Sequence, residues 1–341
     1  MTPEIPRPDD WHAHFRDGDF AADLLPAHAS FGRVIAMPNL TPPVTTPGDA
    51  SAYADRLRKC APAGVTPVAV GYLTDATRPD EVLRGYADGA WKAMKLYPAH
   101  ATTNAAQGVT DIAALDPVFA AMAGADMPLL VHGEVTDPEV DVFDREEAFL
   151  ERVLSPLRAR HPTLRVVIEH ASTAAAVRLV LADASGRLAA TVTPHHLVWT
   201  RNDLFRSGLR PHCYCLPVVK TEADRRALVE AVTRGDPRFF LGTDSAPHPV
   251  HRKEADGGAA GVFNAPTALA TYAEVFEEAG ALDHLATFAS TAGAQFYGVP
   301  VATTATRLRP TPWTPDDVWS TRAGPVRVFR GGERLRWRVD A

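Results

Sequence analysis

Short apolar runs alternate with longer amphipathic stretches along most of this chain, and a Gly, Pro or polar break follows each run. Eight runs have the length of a buried strand. They span residues 10–15, 33–37, 66–72, 93–96, 129–132, 166–170, 188–193 and 239–242. Helical patterns cover residues 48–59, 79–86, 111–123, 146–158, 173–181, 223–233, 266–279 and 284–290. This rhythm is typical of repeated β/α units whose parallel strands are buried on both faces.

Eight such units predict a closed (β/α)₈ barrel, the TIM-barrel fold. An open doubly wound sheet is the alternative, but no Gly-x-Gly-x-x-Gly turn follows the first strand to support it. The length of 341 residues agrees with one barrel at residues 1–300 and a small C-terminal extension at 301–341. Alternation around Gly331 and Gly332 predicts a terminal β-hairpin that packs on the barrel.

Composition narrows the class of protein. Hydrophobic residues make up 46% of the chain and charged residues 22%, as in ordinary globular proteins. The net charge of −6 offers no basic field for nucleic acid or an anionic membrane, so we expect a small-molecule ligand. Three cysteines give no disulfide framework, and no secretory signal or membrane-spanning run is visible, so we expect a cytoplasmic protein. Cys213 and Cys215 lack a second pair at zinc-finger spacing, which favours ordinary packing.

The first predicted strand carries the segment Asp-Asp-Trp-His-Ala-His-Phe-Arg-Asp. Its histidines, His12 and His14, are two residues apart and therefore share one face of an extended strand. Both imidazoles can reach one ion from that face. His-x-His also arises by chance, so the pair alone does not decide between a metal site and a coincidence.

Further potential ligands stand at the ends of other predicted strands. In a (β/α)₈ barrel these ends open on one face, where catalytic groups collect. A single histidine at a strand end is more often a hydrogen-bonded structural residue, but ligands on five strands favour a shared site. The residues in question are His12, His14, Lys95, His132, His170 and Asp244.

Imidazole and carboxylate ligands suit Zn²⁺ or a similar divalent metal. Two ions about 3.5–4 Å apart would use the whole set, provided that an anionic group bridges them. Lys95 is the difficulty, because an ammonium group between two dications would be repelled. Either this lysine is chemically altered, or its stem covers the barrel wall while its head meets a carboxylate.

Several segments resemble the amidohydrolase superfamily, and most closely its shorter bacterial dihydroorotases. The resemblance spans almost the whole chain and rests on longer motifs than the ligands alone. They include Arg-Pro-Asp-Asp-Trp-His-Ala-His-Phe-Arg-Asp-Gly-Asp, Met-Pro-Asn-Leu-Thr-Pro-Pro-Val-Thr-Thr, Lys-Leu-Tyr-Pro-Ala-His-Ala-Thr-Thr-Asn, Leu-Val-His-Gly-Glu-Val-Thr, Phe-Leu-Gly-Thr-Asp-Ser-Ala-Pro-His and Phe-Asn-Ala-Pro-Thr-Ala-Leu.

The resemblance implies that Lys95 is carboxylated to a carbamate that bridges two Zn²⁺ ions together with a hydroxide. It places His12, His14 and Asp244 on one ion. His132 and His170 then belong to the other. The implied reaction is the reversible hydrolysis of L-dihydroorotate to N-carbamoyl-L-aspartate in pyrimidine biosynthesis, with the bridging hydroxide as nucleophile and Asp244 as general base and acid.

The resemblance also implies a set of substrate contacts. Arg16, Asn39 and His248 would hold the substrate carboxylate, and the backbone of Leu216 and Ala260 would bind the ring edge. Thr102 and Thr103 would lie at the tip of a loop that closes over the substrate. From the residues alone, Arg16 could equally form an ion pair with Asp17 or Asp19, Asn39 could form a turn, and the threonine loop could be ordinary surface.

One departure from the family is visible. Cysteines that the family carries after His248 are absent here, where residues 256–262 read Asp-Gly-Gly-Ala-Ala-Gly-Val. We expect activity to survive this change, and we expect a homodimer by analogy. Two other functions remain open: a hydantoinase-like cyclic amidase acting on a neutral ring, and a metal-free scaffold in a pyrimidine enzyme assembly.

Overall fold

The structure is a computed structural model that describes residues 4–340. Its strands are β1 (Glu4–Pro6), β2 (Asp10–Ala13), β3 (Arg33–Ala36), β4 (Thr66–Ala69), β5 (Gly71–Tyr72), β6 (Met94–Leu96), β7 (Leu129–Val131), β8 (Val166–Ile168), β9 (Leu188–Val192), β10 (Phe239–Leu241), β11 (Ala305–Arg309), β12 (Val318–Trp319), β13 (Val326–Arg327) and β14 (Arg338–Asp340). Its helices are α1 (Gly18–Leu24), α2 (Pro47–Arg58), α3 (Pro79–Ala87), α4 (Asp116–Gly124), α5 (Arg145–Phe149), α6 (Ser155–Arg160), α7 (Ala174–Ala182), α8 (Pro194–Val198), α9 (Glu222–Thr233), α10 (Val250–Lys253), α11 (Ala268–Glu278) and α12 (Ala292–Phe296).

Strands β2 to β10 form a ring of parallel segments. β2, β3 and β4 make one ladder, and β5 to β10 make a second ladder in sequence order. β4 and β5 belong to one extended segment, interrupted at Val70, that joins the two ladders. The ring closes where the Asp244 amide donates to the His12 carbonyl over 2.8 Å and the His14 amide donates to the Ser245 carbonyl over 2.9 Å. The predicted (β/α)₈ barrel is thus confirmed, with all eight strands in the predicted places.

Alternate residues of the barrel strands face two different apolar layers. Leu129 and Val131 join the cluster that packs against the surrounding helices. Leu130, between them, joins an inner cluster with Val167 and Phe240. Parallel strands buried on both faces need apolar residues at every position, which is why the sequence shows continuous runs.

The predicted helices are largely present, and local chemistry sets several of their starts. Thr46 begins α2 with a reciprocal capping box to Asp49, and Thr221 begins α9 in the same way with Asp224. The predicted helix 284–290 is present but longer than predicted, because a π-helical turn at Thr287–Thr291 continues it into α12. Four short helices were not predicted, since α1, α8, α10 and α12 are too short to show a helical period.

The predicted terminal hairpin around Gly331 and Gly332 is wrong in its pairing. The segment before these glycines, β13, pairs antiparallel with β12, whereas β14 pairs with β11 and extends a three-stranded sheet with β1. Gly331 and Gly332 therefore form a turn between strands of two different sheets. Alternation identifies strands but does not identify partners brought from elsewhere in the chain. Across residues 4–340, no helix is both long and apolar enough to cross a membrane.

Candidate metal centre and substrate pocket

The first group of predicted ligands converges at the point where the barrel closes. His12 lies on β2 and His14 just beyond it, and their Nε2 atoms are 3.3 Å apart. Asp244 Oδ1 lies 3.1 Å from His14 Nε2 and 3.4 Å from His12 Nε2. All three side chains are buried. Three donor atoms thus face one small volume at the carboxyl ends of neighbouring strands.

The remaining ring nitrogens of these two histidines are held by hydrogen bonds. His12 Nδ1 lies 2.5 Å from Glu169 Oε2, which also accepts from the Thr191 hydroxyl over 2.8 Å. His14 Nδ1 lies 2.9 Å from Asn39 Oδ1. An amide or carboxylate oxygen can only accept, so each Nδ1 carries the proton and each Nε2 presents its lone pair inward. Such outer partners orient metal-binding imidazoles and fix their tautomer.

The second predicted pair lies on the adjoining strands. His132 Nδ1 is 3.2 Å from His170 Nε2, and His132 Nε2 donates to Glu134 Oε2 over 2.9 Å. The rings of His12 and His170 are 5.1 Å apart between centroids, so the two groups form one continuous cluster. Four histidines from three strand ends thus come together as the sequence predicts.

Lys95 completes the cluster from β6. Its side chain is fully buried, and Nζ has no hydrogen-bond partner among the described residues. Burial lowers the pKa of its amine to about 8, against the opposing pull of Glu169 and Asp244. No carboxylate in residues 4–340 forms an ion pair with Lys95 Nζ. The structure therefore does not show the alternative in which the Lys95 ammonium group meets a carboxylate.

Burial also sets the charge of the other ligands. Desolvation lowers the pKa of His12, His14 and His170, so these rings are neutral and able to bind a cation. Desolvation raises the pKa of Asp244, although the surrounding histidines and Lys95 oppose it. Asp244 and His170 also have left-handed backbone, with φ of 45° and 44°. Strain of this kind is characteristic of functional sites, where the surrounding fold holds it in place.

The donor set fits a divalent metal. Neutral imidazole nitrogens with outer hydrogen bonds, together with a carboxylate, are what Zn²⁺ and similar ions prefer. The mutual approach of His12, His14 and Asp244 is that of a metal-ligand group. The full burial of an amine without a partner is explained if Lys95 is modified or engaged with such an ion.

A second cluster of potential ligands is also present, but hydrogen bonds occupy the acceptor nitrogens of both its histidines. His195, His196 and Cys215 also bring potential ligand atoms together. The Asn264 amide donates to His195 Nδ1 over 3.0 Å and to the Thr243 carbonyl over 2.7 Å. His196 Nε2 donates to the Pro217 carbonyl over 3.1 Å, so its other nitrogen accepts from a threonine hydroxyl. These contacts leave neither histidine with a free lone pair for a metal ion.

Arg16 lies beside the metal-ligand cluster without an acidic partner among the described residues. Its Nη2 is 2.9 Å from His248 Nε2. The alternative pairings with Asp17 and Asp19 are wrong, because those carboxylates bind the guanidinium groups of Arg56 and Arg322. Arg16 therefore presents an uncompensated cation toward the pocket, on backbone with φ of 63°.

His248 connects Arg16 to the backbone predicted to bind the ring. Its Nε2 lies 3.0 Å from the Ala260 carbonyl as well as close to Arg16. One nitrogen cannot accept from Arg16 and donate to Ala260 in the same tautomer, so only one of these contacts exists at a time. Burial and the nearby guanidinium lower the pKa of His248 to about 2, so its ring is neutral.

The loop with Thr102 and Thr103 closes the pocket. Asn39 Nδ2 donates to the Thr103 carbonyl over 2.9 Å, and Asn104 Nδ2 donates to the Asn39 carbonyl over 3.0 Å. The enclosed space is only about 20 Å³, room for about one water molecule and far less than a ring needs. A ring substrate can therefore enter only if this loop moves outward. The lining side chains are His14, Arg16, Asn39, Tyr97, Thr102, Thr103, His132, His170, Leu216, Asp244, Ala246, Ala260 and Gly261.

A larger cavity of about 390 Å³ adjoins this pocket and shares Gly261 with it. It contains none of the six predicted metal ligands. The smaller pocket is therefore the one that can carry the chemistry.

Comparison with known proteins agrees with this geometry. The amidohydrolase family model matches residues 9–303. The dihydroorotase of Sphingopyxis alaskensis is 52% identical over 98% of both chains, and that of Halorhodospira halophila is 51% identical over 99% of both. The chain belongs to the dihydroorotases of the amidohydrolase family. A dihydroorotase from Saccharomyces cerevisiae, solved with 5-fluoroorotic acid, covers the whole chain and 98% of its own at 33% identity and a TM-score of 0.93.

More distant amidohydrolases share the fold. The L-hydantoinase of Arthrobacter aurescens reaches a TM-score of 0.81 at 19% identity, covering 98% of this chain and 82% of its own. The identity of this chain to the dihydroorotases is much higher than its identity to this hydantoinase.

Sequence reasoning missed Glu134 and Glu169, the carboxylates that orient His132 and His12. Their signal was available, since Glu169 precedes His170 directly and Glu134 follows His132 by two residues.

Proposed function

We propose that the chain catalyses the reversible hydrolysis of L-dihydroorotate to N-carbamoyl-L-aspartate with two Zn²⁺ ions, as a step of pyrimidine biosynthesis. The observation that carries this proposal is the position of Arg16. A guanidinium without an acidic partner among residues 4–340 lines the same pocket as His14 and Asp244, so one small molecule can reach a metal-ligand group and a carboxylate-binding group together. A cyclic amide that bears a carboxylate has both features.

The cluster would hold the two ions in separate groups joined by Lys95. When bound, the ions would polarise the amide carbonyl and supply hydroxide near neutral pH. The ligands would be His12, His14 and Asp244 for one ion, His132 and His170 for the other, with carboxylated Lys95 between them.

Carboxylation of Lys95 has a simple chemical basis in its surroundings. The amine must be neutral to attack CO₂, and a pKa near 8 leaves an appreciable neutral fraction at physiological pH. The Nζ–C bond forms as one C=O bond of CO₂ opens, and the amine releases one proton. The product is an anionic carbamate, which removes the repulsion that a buried ammonium would have with two cations.

We expect Asp244 to move the proton of the reaction. Its Oδ1 faces His12 and His14, and Oδ2 would accept the proton of the attacking water. Burial raises its pKa, which brings the carboxylate closer to the proton affinity that a general base needs. Asp244 then donates the proton to the ring nitrogen as the C–N bond breaks. In the reverse direction the same atom removes a proton from the attacking amide.

Three side chains would hold the substrate carboxylate. Arg16 supplies a planar pair of donors, Asn39 an amide N–H and His248 a ring N–H. Arg16 and His248 contact each other in the closed pocket, and Asn39 donates to the loop carbonyl of Thr103. An entering carboxylate would replace these contacts, which couples binding of the acid to rearrangement of the loop. The backbone of Leu216 and Ala260 would hold the ring edge.

Replacing Arg16 tests the choice of substrate. We expect Arg16→Met to lower kcat/KM for dihydroorotate by about 10²- to 10⁴-fold, because two charge-assisted hydrogen bonds of roughly 1.5–3 kcal/mol each are lost. Turnover of the neutral ring dihydrouracil should not fall in parallel. The measurement is the rate of ring opening followed by ultraviolet absorbance, with both substrates at equal metal content.

Arg56→Met is the matched control, since Arg56 binds Asp17 outside the pocket. It should leave both rates within about twofold, as expected for an exposed ion pair. Equal losses on both rings after Arg16→Met would instead favour the hydantoinase-like alternative. The scaffold alternative predicts a different result, namely that purified protein holds far less than one metal ion per chain.

We further propose a homodimer in the cytoplasm, by analogy with dihydroorotases.

A further inference from the structure

Tyr97 lies in the substrate pocket with a hydroxyl that is buried and has no hydrogen-bond partner among residues 4–340. It follows Lys95 by two positions, so both side chains leave the end of β6 on the same face. The residue is 1% exposed. An unpaired hydroxyl in a buried position lowers stability, and in a native protein such a group calls for a functional explanation.

The surroundings of the Tyr97 ring hold it in one place. The ring stacks on Tyr72 with centroids 5.2 Å apart, and it lies 6.1 Å from the ring of His132. The Lys95 amine lies 5.0 Å from its centroid. Tyr72 in turn donates to the carbonyl of Asn104 in the closing loop over 3.4 Å. Tyr97 is therefore held between the ring of the proposed metal ligand His132 and the Tyr72 ring, which contacts the loop at Asn104.

Burial alone does not distinguish Tyr97, because Tyr297 also has a buried hydroxyl without a partner in the described chain. Tyr297 stacks on Trp11 with centroids 4.4 Å apart, in the inner cluster of the barrel rather than in the pocket. The difference is access to a ligand. Only the Tyr97 phenol borders the space that the substrate must enter.

The neighbouring charge indicates which substrate oxygen the hydroxyl would meet. Arg16 and Tyr97 line the same small pocket, and the Arg16 guanidinium is the group there that would bind an anion. An anion held by Arg16 would therefore lie beside the Tyr97 hydroxyl, which has a proton to donate.

We propose that the Tyr97 hydroxyl donates a hydrogen bond to the carboxylate of the ring substrate, alongside Arg16, and contributes to selection of acidic rings. This inference rests on the proposed function. It adds a fourth donor to the three side chains already assigned to the carboxylate. The donor is oriented before the substrate arrives, so its binding loses little conformational freedom.

Tyr97→Phe tests the assignment, with Tyr297→Phe as the matched control. We expect Tyr97→Phe to raise KM for dihydroorotate and the dissociation constant of orotate by about tenfold or more, since a hydrogen bond to a charged group is lost. Its kcat should stay within about twofold, as for a contact made equally in ground and transition states. Its melting temperature without ligand should equal or exceed that of the wild type, because the lost hydroxyl had no partner.

Tyr297→Phe should leave KM, kcat and orotate binding unchanged. An unaltered KM and orotate affinity in Tyr97→Phe would overturn the proposal. So would a fall in kcat with orotate affinity retained, since that result would place the hydroxyl at the reacting carbonyl. Orotate binding is measured by calorimetry and needs no turnover, so it tests the role of Tyr97 independently of the proposed reaction. Absence of dihydroorotate turnover in the wild type would instead reject the proposed function.

Discussion

Asp244→Asn should lower kcat for dihydroorotate by about 10²- to 10⁴-fold, the range that general acid–base catalysis contributes. The amide keeps the shape of the side chain and one oxygen toward His14, but it cannot take a proton from water or return it to the ring nitrogen. The variant should therefore still bind orotate while turning over slowly. Steady-state kinetics in both reaction directions provide the measurement, because one residue serves both.

Metal content must be determined for the same Asp244→Asn sample, since Asp244 is also a proposed ligand. A large fall in kcat at wild-type metal content assigns the loss to proton transfer. Retention of more than about a tenth of kcat at full metal content would show that another group moves the proton, because even the weakest such contribution is about 10²-fold.

Lys95→Ala should remove both metal and activity. Without the carbamate no anion from β6 remains between the two histidine groups, so we expect at least one ion per chain to be lost. Metal-dependent amide hydrolysis should fall by at least about 10³-fold, since both the polarised carbonyl and the hydroxide depend on the ions. Elemental analysis and kinetics measure the two effects together.

Lys92→Ala is the matched control for Lys95. Lys92 precedes the same strand and is partly exposed at its other end, so its loss should change neither metal content nor kcat. The wild-type protein should also gain the mass of one CO₂ under native conditions, a gain that Lys95→Ala abolishes. Full metal content in Lys95→Ala would contradict the bridging role.

Much of the fold could be predicted because each barrel strand is a local signal. A run such as Leu129–Val131 is apolar at every position, since the outer and inner layers both exclude water. The ligands could be predicted for a related reason. Residues at the carboxyl ends of these strands share one face of the barrel, so His132, His170 and Asp244 must meet once the ring closes.

What could not be predicted depends on partners that are distant in the sequence. Glu169 holds His12 across 157 positions, and Arg56 takes Asp17 away from Arg16. The prediction of a terminal hairpin is wrong for the same reason, because β14 pairs with the distant strand β11 and not with the strand on the other side of Gly331. Nothing in the sequence singles out Tyr97, since a hydroxyl can be recognised as lacking a hydrogen-bond partner only when its surroundings are known.

The most direct test of the central claim is ring opening of L-dihydroorotate by the purified wild-type chain, followed by ultraviolet absorbance before chelation, after chelation and after Zn²⁺ is added back. We expect turnover in the metal-replete protein, its loss on chelation and its return with zinc. A metal-replete sample that does not open this ring, or one whose turnover survives complete removal of metal, would contradict the account.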